Sequence, residues 1–164
     1  MNALTYYSYY DSPLGKILLL SDGTALTGLY MEGQRGEPCG IEADLPVFDK
    51  TKNWLDSYFR GEASDPSQLP LSPKGTPFQE SVWQILLTIP QGQTLSYGHI
   101  AREMARRLGK EKMSAQAVGQ AVGRNPISII IPCHRVVGAK GQLTGYAGGV
   151  DKKIWLLNHE GVSV

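Results

Sequence analysis

The chain has 164 residues, 41% of them hydrophobic and 19% charged, with a formal net charge of +1. That composition suits a folded globular protein with one good core or two small ones and argues against a disordered chain. No run approaches the ~18 consecutive apolar residues of a membrane span, and the opening MNALTYYSYYDS lacks the basic and apolar stretches of a secretory leader. A cytoplasmic, nucleoid-associated location is expected, or a nuclear one in a eukaryote.

Charge is unevenly spread: residues 1–90 carry roughly 6 basic against 11 acidic side chains, and residues 91–164 roughly 10 against 4. A basic C-terminal half suits a polyanionic partner, although an ordinary solvated face has the same composition. Cys39 sits in the Gly- and Pro-rich RGEPCGIE and Cys133 in the apolar IIIPCHRVV. Such unlike contexts argue against a disulfide, and without CxxC or HxxxH spacing neither a metal nor a cofactor is expected.

The first third reads as β-rich. TYYSYY and the two runs of GKILLLSDGTALTGLYME are β-prone, and Asp22-Gly23 predicts a hairpin between the latter two. DKTKNWLDSYFRG places Trp54, Leu55, Tyr58 and Phe59 at helical spacing, with Gly61 as a stop. EASDPSQLPLSPKG, with three prolines and little periodicity, reads as a linker.

Helical signals follow. TPFQESVWQILLTIP offers Thr76 as N-cap, Pro77 at the first helical position, Gln79 three residues past the cap and a stripe of Val82, Ile85, Leu86 and Ile89 closed by Pro90. SYGHIAREMARRL has Ser96 as cap and Ile100, Met104 and Leu108 on one expected apolar face. GKEKM leads to SAQAVGQAVGRNP, capped by Ser114 and stopped at Asn125-Pro126, so the pair predicts a helix-turn-helix. Ala117, Gly119, Ala121 and Gly123 line the second helix, where each glycine costs ~1 kcal/mol of propensity against alanine. Close packing on a neighbour and close approach to a groove both account for such residues. The last element, DKKIWLLNHEG, reads as a helix capped by Asp151, with Ile154 and Leu157 inward and Glu160 at its end.

A thiol in an apolar run is usually inert, because burial disfavours the thiolate. A nucleophilic cysteine needs a base, and the base works better when a third group fixes its tautomer. Cys133, His134 and Glu160 supply those types. In an extended segment adjacent side chains point to opposite sides, so His134 would reach the sulfur only through a bridging water or a turn at Pro132.

NPISIIIPCHRVV resembles the signature of the O6-alkylguanine-DNA alkyltransferases, or methylated-DNA–protein-cysteine methyltransferases. GTPFQESVW, IPQGQTLSYGHIA, AVGQAVGRNP, GYAGGVDKKIWLLNHEG and SYFRG follow that family in order, so the resemblance covers residues 50–161, with the N-terminal part similar only in general pattern. It implies an α+β fold: a small β-rich, ribonuclease H-like domain over 1–70, then a helical, winged-helix-like domain with a helix-turn-helix over 71–164 that binds DNA and carries the alkyl acceptor.

The implied activity is a single-turnover transfer of the alkyl group from O6-alkylguanine, and less well O4-alkylthymine, to Cys133. His134 would draw the thiol proton through a water, Glu160 would orient His134, and Asn125 would buttress the segment and hydrogen-bond near the thiolate. Tyr97 would donate to the departing base; Tyr146, Ala147, Gly148 and Lys153 would wall the pocket. The implied partner is double-stranded DNA, entered by the second helix at the minor groove with the target nucleotide flipped out. Gln116, Ala117, Gly119 and Arg124 would meet it, with Arg106, Arg107, Lys110 and Lys112 near phosphate. A monomer without membrane attachment is expected.

Gln116 departs from the family, which usually has an arginine there to fill the gap left by the flipped nucleotide; glutamine lacks the cation and the stacking plane. The link between the two helices, RRLGKEKM, is also longer than in many relatives. A lesion binder without chemistry is the main competing reading, and the presence of Cys133, His134, Asn125 and Glu160 argues against it. A helix-turn-helix regulator would need an effector domain, and a cysteine hydrolase would need oxyanion donors that are not readable here.

Overall fold

The β-prone runs at the N-terminus pair into one sheet. In the computed structural model, which describes residues 4–143, 146 and 149–164, β1 (Tyr6–Ser12), β2 (Gly15–Ser21) and β3 (Leu26–Tyr30) form an antiparallel meander. A two-residue strand β4 (Ile41–Glu42) adds parallel to β1, giving the order β3-β2-β1-β4. The expected hairpin at Asp22-Gly23 is present: the Asp22 carboxylate accepts from the backbone N–H groups of Thr24 and Ala25. A second hairpin joins β1 to β2, where Ser12 Oγ accepts from Leu14 N and donates to Gly15 O.

Helix α1 (Pro46–Phe59) packs against β1, β2 and β3, burying Val47, Phe48, Trp54, Leu55 and Tyr58. It begins three residues before Asp49, because Pro46 at the first helical position supplies the start. Tyr10 Oη donates to Asp56 Oδ1 at 2.6 Å and its ring stacks on Phe59.

Contacts divide the chain into two units. One holds the chain through Lys74 together with Pro126–Ser128; the other holds Gly75–Asn125 and Ile129–Val164. In the first, the returning segment pairs with β3: Leu29 N donates to Pro126 O and Ser128 N to Leu29 O. Ile129, at the next junction, has φ of 70°, a conformation unfavourable for a β-branched residue.

In the second unit, α2 (Pro77–Leu86) opens with the expected capping box, Thr76 and Gln79 each accepting from the other's backbone N–H. Ile89 lies beyond the helix end yet is buried. β5 (Leu95–Ser96) leads directly into α3 (Tyr97–Leu108), capped by Ser96, and α4 (Ala115–Gly123) follows, capped by Ser114. α2, α3 and α4 pack on one another, and Trp83 Nε1 donates to Ala121 O at 2.9 Å. β6 (Val136–Val137) pairs in parallel with β5, and α5 (Val150–His159) closes the unit.

Three expectations need correction. Leu108 is exposed: steps of four residues drift ~40° around a helix, so Ala101 and Ala105 take the inner face instead. Asp151 is not a cap; Gly149 precedes α5, and Asp151 sits in the first turn, where its charge suits the helix dipole. Ile154 is only half-buried, because the inward face of α5 is Lys153, Leu156, Leu157 and, just past its end, Glu160. Among the described residues no helix is long and apolar enough to cross a membrane.

Candidate active site

The nucleophile segment is not the extended strand the apolar run suggested. After Pro132 (φ −82°, ψ 67°) the chain tightens into a 3₁₀ turn over Cys133–Arg135 before entering β6. The turn at Pro132 is present, but it does not bring His134 Nδ1 into a hydrogen bond with the Cys133 sulfur, so the water-bridged route stays open. The turn packs against α5, so three consecutive polar or reactive side chains sit at the buried end of a helix.

His134 is fully buried, and its Nε2 lies 2.6 Å from Glu160 Oε2. A carboxylate can only accept, so Nε2 carries the proton and the Nδ1 lone pair is left as the basic site. Nδ1 is buried and has no hydrogen-bond partner among the described residues. Arg135 donates from Nε to Glu160 Oε1 at 2.7 Å, from Nη2 to Glu160 Oε2 at 3.1 Å and from Nη1 to the Ile89 carbonyl at 2.7 Å. Burial alone would raise the Glu160 pKa, but the His134 and Arg135 hydrogen bonds and charges hold it down at about 2. The carboxylate is ionised at any physiological pH.

Opposing effects meet at Cys133. Burial pushes the thiol pKa up, while hydrogen bonds from Asn125 and Tyr146 and the charge of Lys153 pull it down, leaving a net rise. Burial likewise depresses the His134 pKa; Glu160 opposes that fall, and Arg135 and Lys153 reinforce it. A neutral thiol beside a neutral imidazole is the resting arrangement.

Local sequence explains how the parts arrive. Asn125, buried just past α4, donates from Nδ2 to Ile131 O at 2.7 Å and so ties the end of that helix to the turn that leads into Cys133. Lys153, on the inward face of α5, is fully buried and donates to Val136 O at 2.6 Å. Tyr97 follows Ser96, which is paired with Val137, so the β5–β6 bridge fixes the start of α3 relative to the Cys133 turn. Cys133, His134, Glu160, Asn125, Tyr146 and Lys153 thus converge. Ala147 and Gly148 lie outside the described residues.

The helix-turn-helix residues form a second surface. Gln116, Gln120, Gly123 and Arg124 are exposed, with Ala117 and Gly119 half-buried. Among the described residues, a Cβ on Gly119 would meet only the Tyr97 ring at 3.8 Å, and one on Gly123 would meet nothing within 4 Å. Packing inside the chain therefore does not require either glycine. Arg106 and Arg107 both pair with Glu103, whereas Lys110, Lys112 and Arg124 are exposed. Arg135 is the site residue that reading the sequence missed; its place directly after His134 was the available signal.

Comparison with known proteins agrees with this geometry. Residues 5–73 match the ribonuclease-like domain of 6-O-methylguanine DNA methyltransferase, and residues 77–162 match its DNA-binding domain. A methylated-DNA–protein-cysteine methyltransferase of Haemophilus influenzae is 45% identical over 98% of this chain and 88% of that protein. One from Mycobacterium leprae is 46% identical over 92% of this chain and 88% of its own length. The crystal structure of Mycobacterium tuberculosis OGT in complex with DNA superposes with a TM-score of 0.82 at 43% identity, covering 94% of this chain and 92% of that one. The chain belongs to the 6-O-methylguanine DNA methyltransferase family, with an α+β fold of a ribonuclease-like domain followed by a DNA-binding domain.

Proposed function

We propose that this chain repairs alkylated DNA by moving the alkyl group from O6 of guanine, and less well from O4 of thymine, onto Cys133 in a single irreversible turnover. The observation that carries this reading is the buried Cys133 turn, with His134, Glu160 and Arg135 linked in one hydrogen-bonded chain behind it. The relatives' names and the DNA complex of a 43% identical structure support it.

In the step, the Cys133 Sγ–carbon bond forms as the carbon–O6 bond breaks, with guanine as leaving group. The thiol proton passes through a water to His134 Nδ1, and Glu160 stabilises the resulting imidazolium. Tyr97 donates to the guanine as negative charge develops on it, and exchange with solvent restores both groups. Asn125, Tyr146 and Lys153 hold the sulfur as its charge grows. The product is a thioether, which the His134–Glu160 pair cannot hydrolyse, so the protein is consumed. Burial keeps the sulfur from wasteful oxidation, and the relay makes it reactive only toward an alkyl group delivered to it.

Because the target atom lies in a base stack, the nucleotide is flipped out. Gln116, Ala117, Gly119 and Arg124 of α4 enter the minor groove, with the exposed basic residues at phosphate. The protein acts as a monomer in the cytoplasm, on double-stranded DNA. Intact-protein mass after incubation with a duplex carrying O6-methylguanine tests the proposal. A gain of one methyl in place of one hydrogen, mapped to Cys133 and absent in Cys133→Ser, is the expected result; lesion-selective binding without that gain overturns it in favour of a lesion binder.

A further inference from the structure

The transfer step gives no role to Arg135, yet this side chain is 10% exposed and uses three different nitrogens in three hydrogen bonds. Two go to the two oxygens of Glu160 and the third to the carbonyl of Ile89, just beyond α2. The geometry points to Arg135 as the positioning residue that keeps His134 a neutral base, its fork fixing Glu160 against Nε2 and its charge opposing protonation of the imidazole. This rests on the alkyl-transfer reading above.

A lone buried carboxylate at 2.6 Å from an imidazole favours the imidazolium, with which it would form an ion pair. Protonated His134 has no lone pair on Nδ1 and could not take the thiol proton. Arg135 removes that hazard because it already neutralises Glu160, donating to Oε1 and sharing Oε2 with His134. The charges acting on His134 are Lys153 from α5, Glu160 just past the end of α5 and Arg135 from its own turn; among the described residues only Glu160 favours the charged imidazole, against Arg135, Lys153 and burial. Neutralisation by a point charge would meet the electrostatic need, but an ammonium cannot span both carboxylate oxygens and Ile89 O together. Charge and fork are therefore separable.

Two readouts test this: the His134 titration followed by NMR, and the single-turnover transfer rate from an O6-methylguanine duplex as a function of pH. Arg135→Met raises the His134 midpoint by about one pH unit or more and carries the acid limb of the rate profile upward with it. Arg135→Lys leaves the midpoint within about half a unit of the parent but slows the plateau rate about tenfold, since the fork is lost. An unchanged midpoint in folded Arg135→Met, or an unchanged plateau in Arg135→Lys, overturns the proposal. Should Arg135→Met fail to fold, Arg135→Lys carries the test alone. A parent protein that transfers no alkyl group would sink the functional reading, while the NMR midpoints would still decide the role of Arg135.

Discussion

The Cys133 turn and the outer face of α4 are built on opposite terms. Around Cys133 the side chains are buried and tied to one another: Glu160 alone accepts from two residues, and Asn125, Lys153 and Arg135 each grip a backbone carbonyl. On α4, Gln116 and Gly123 are exposed, and neither glycine of the helix is demanded by a neighbour within the chain. A site that does chemistry on itself is specified by its internal contacts. The face of α4 proposed to meet DNA is specified instead by what it leaves out.

The largest effects should come from breaking the buried relay. Glu160→Gln removes the anion that His134 and Arg135 share and leaves a guanidinium without its counter-charge; the expected cost is about 3 kcal/mol of stability and at least about a hundredfold in transfer rate. Denaturant melts and single-turnover kinetics check both.

Acid should dismantle the same site in two stages. His134 has a depressed folded pKa, so the unfolded chain takes up a proton first and stability falls as pH drops below about 6.5. Glu160 is lowered from 4.5 to about 2, so its contribution is present above 4.5 and lost as pH falls from there toward 2, about 3 kcal/mol in all. Melting temperature measured across pH 8 to 3 should show both stages in the parent and lose the upper one in His134→Gln. A single transition near pH 4.5 in the parent would contradict the buried neutral imidazole.

The seat of α4 on α2 is next. Trp83→Phe removes the indole N–H that ties α2 to Ala121 O, a carbonyl that keeps the Arg124 N–H, so the cost is about 1 kcal/mol. DNA affinity should fall with it, because α4 loses its fixed seat on α2.

Glycine replacement separates packing from recognition most sharply. Gly119→Ala and Gly123→Ala each have room for a methyl and should stabilise the protein by up to ~1 kcal/mol through helix propensity, while weakening DNA binding. Higher melting temperature with unchanged affinity would return these residues to plain helix background.

How much of this was legible follows the same division. The caps at Thr76, Ser96 and Ser114 were readable because capping is local chemistry within four residues. The Cys133–His134–Glu160 grouping was readable only as residue types, since what joins His134 to Glu160 is the packing of α5 on the turn. Arg135 escaped notice because an arginine beside a reactive pair looks like any basic residue until its three acceptors, 25 or more residues distant, are in place. The pairing of Pro126–Ser128 with β3 left no periodic signal at all, being a three-residue segment whose partner lies almost a hundred positions earlier.

Gln116 offers the smallest effect and a direct test of the α4 surface. It is exposed on the first turn of α4, its backbone N–H capped by Ser114 and its side chain open to a partner. Glutamine can fill the gap left by a flipped nucleotide and hydrogen-bond the orphaned base, but it supplies neither charge nor a flat stacking plane. Gln116→Arg should therefore tighten duplex binding several-fold, add about one unit to the salt dependence of affinity and quicken transfer, with no change in the His134 titration. Unchanged affinity and rate would mean that another group, with the exposed Lys110 and Lys112 of the inter-helix link the candidates, already does that work; their joint replacement by alanine would then cost the affinity that Gln116 does not supply.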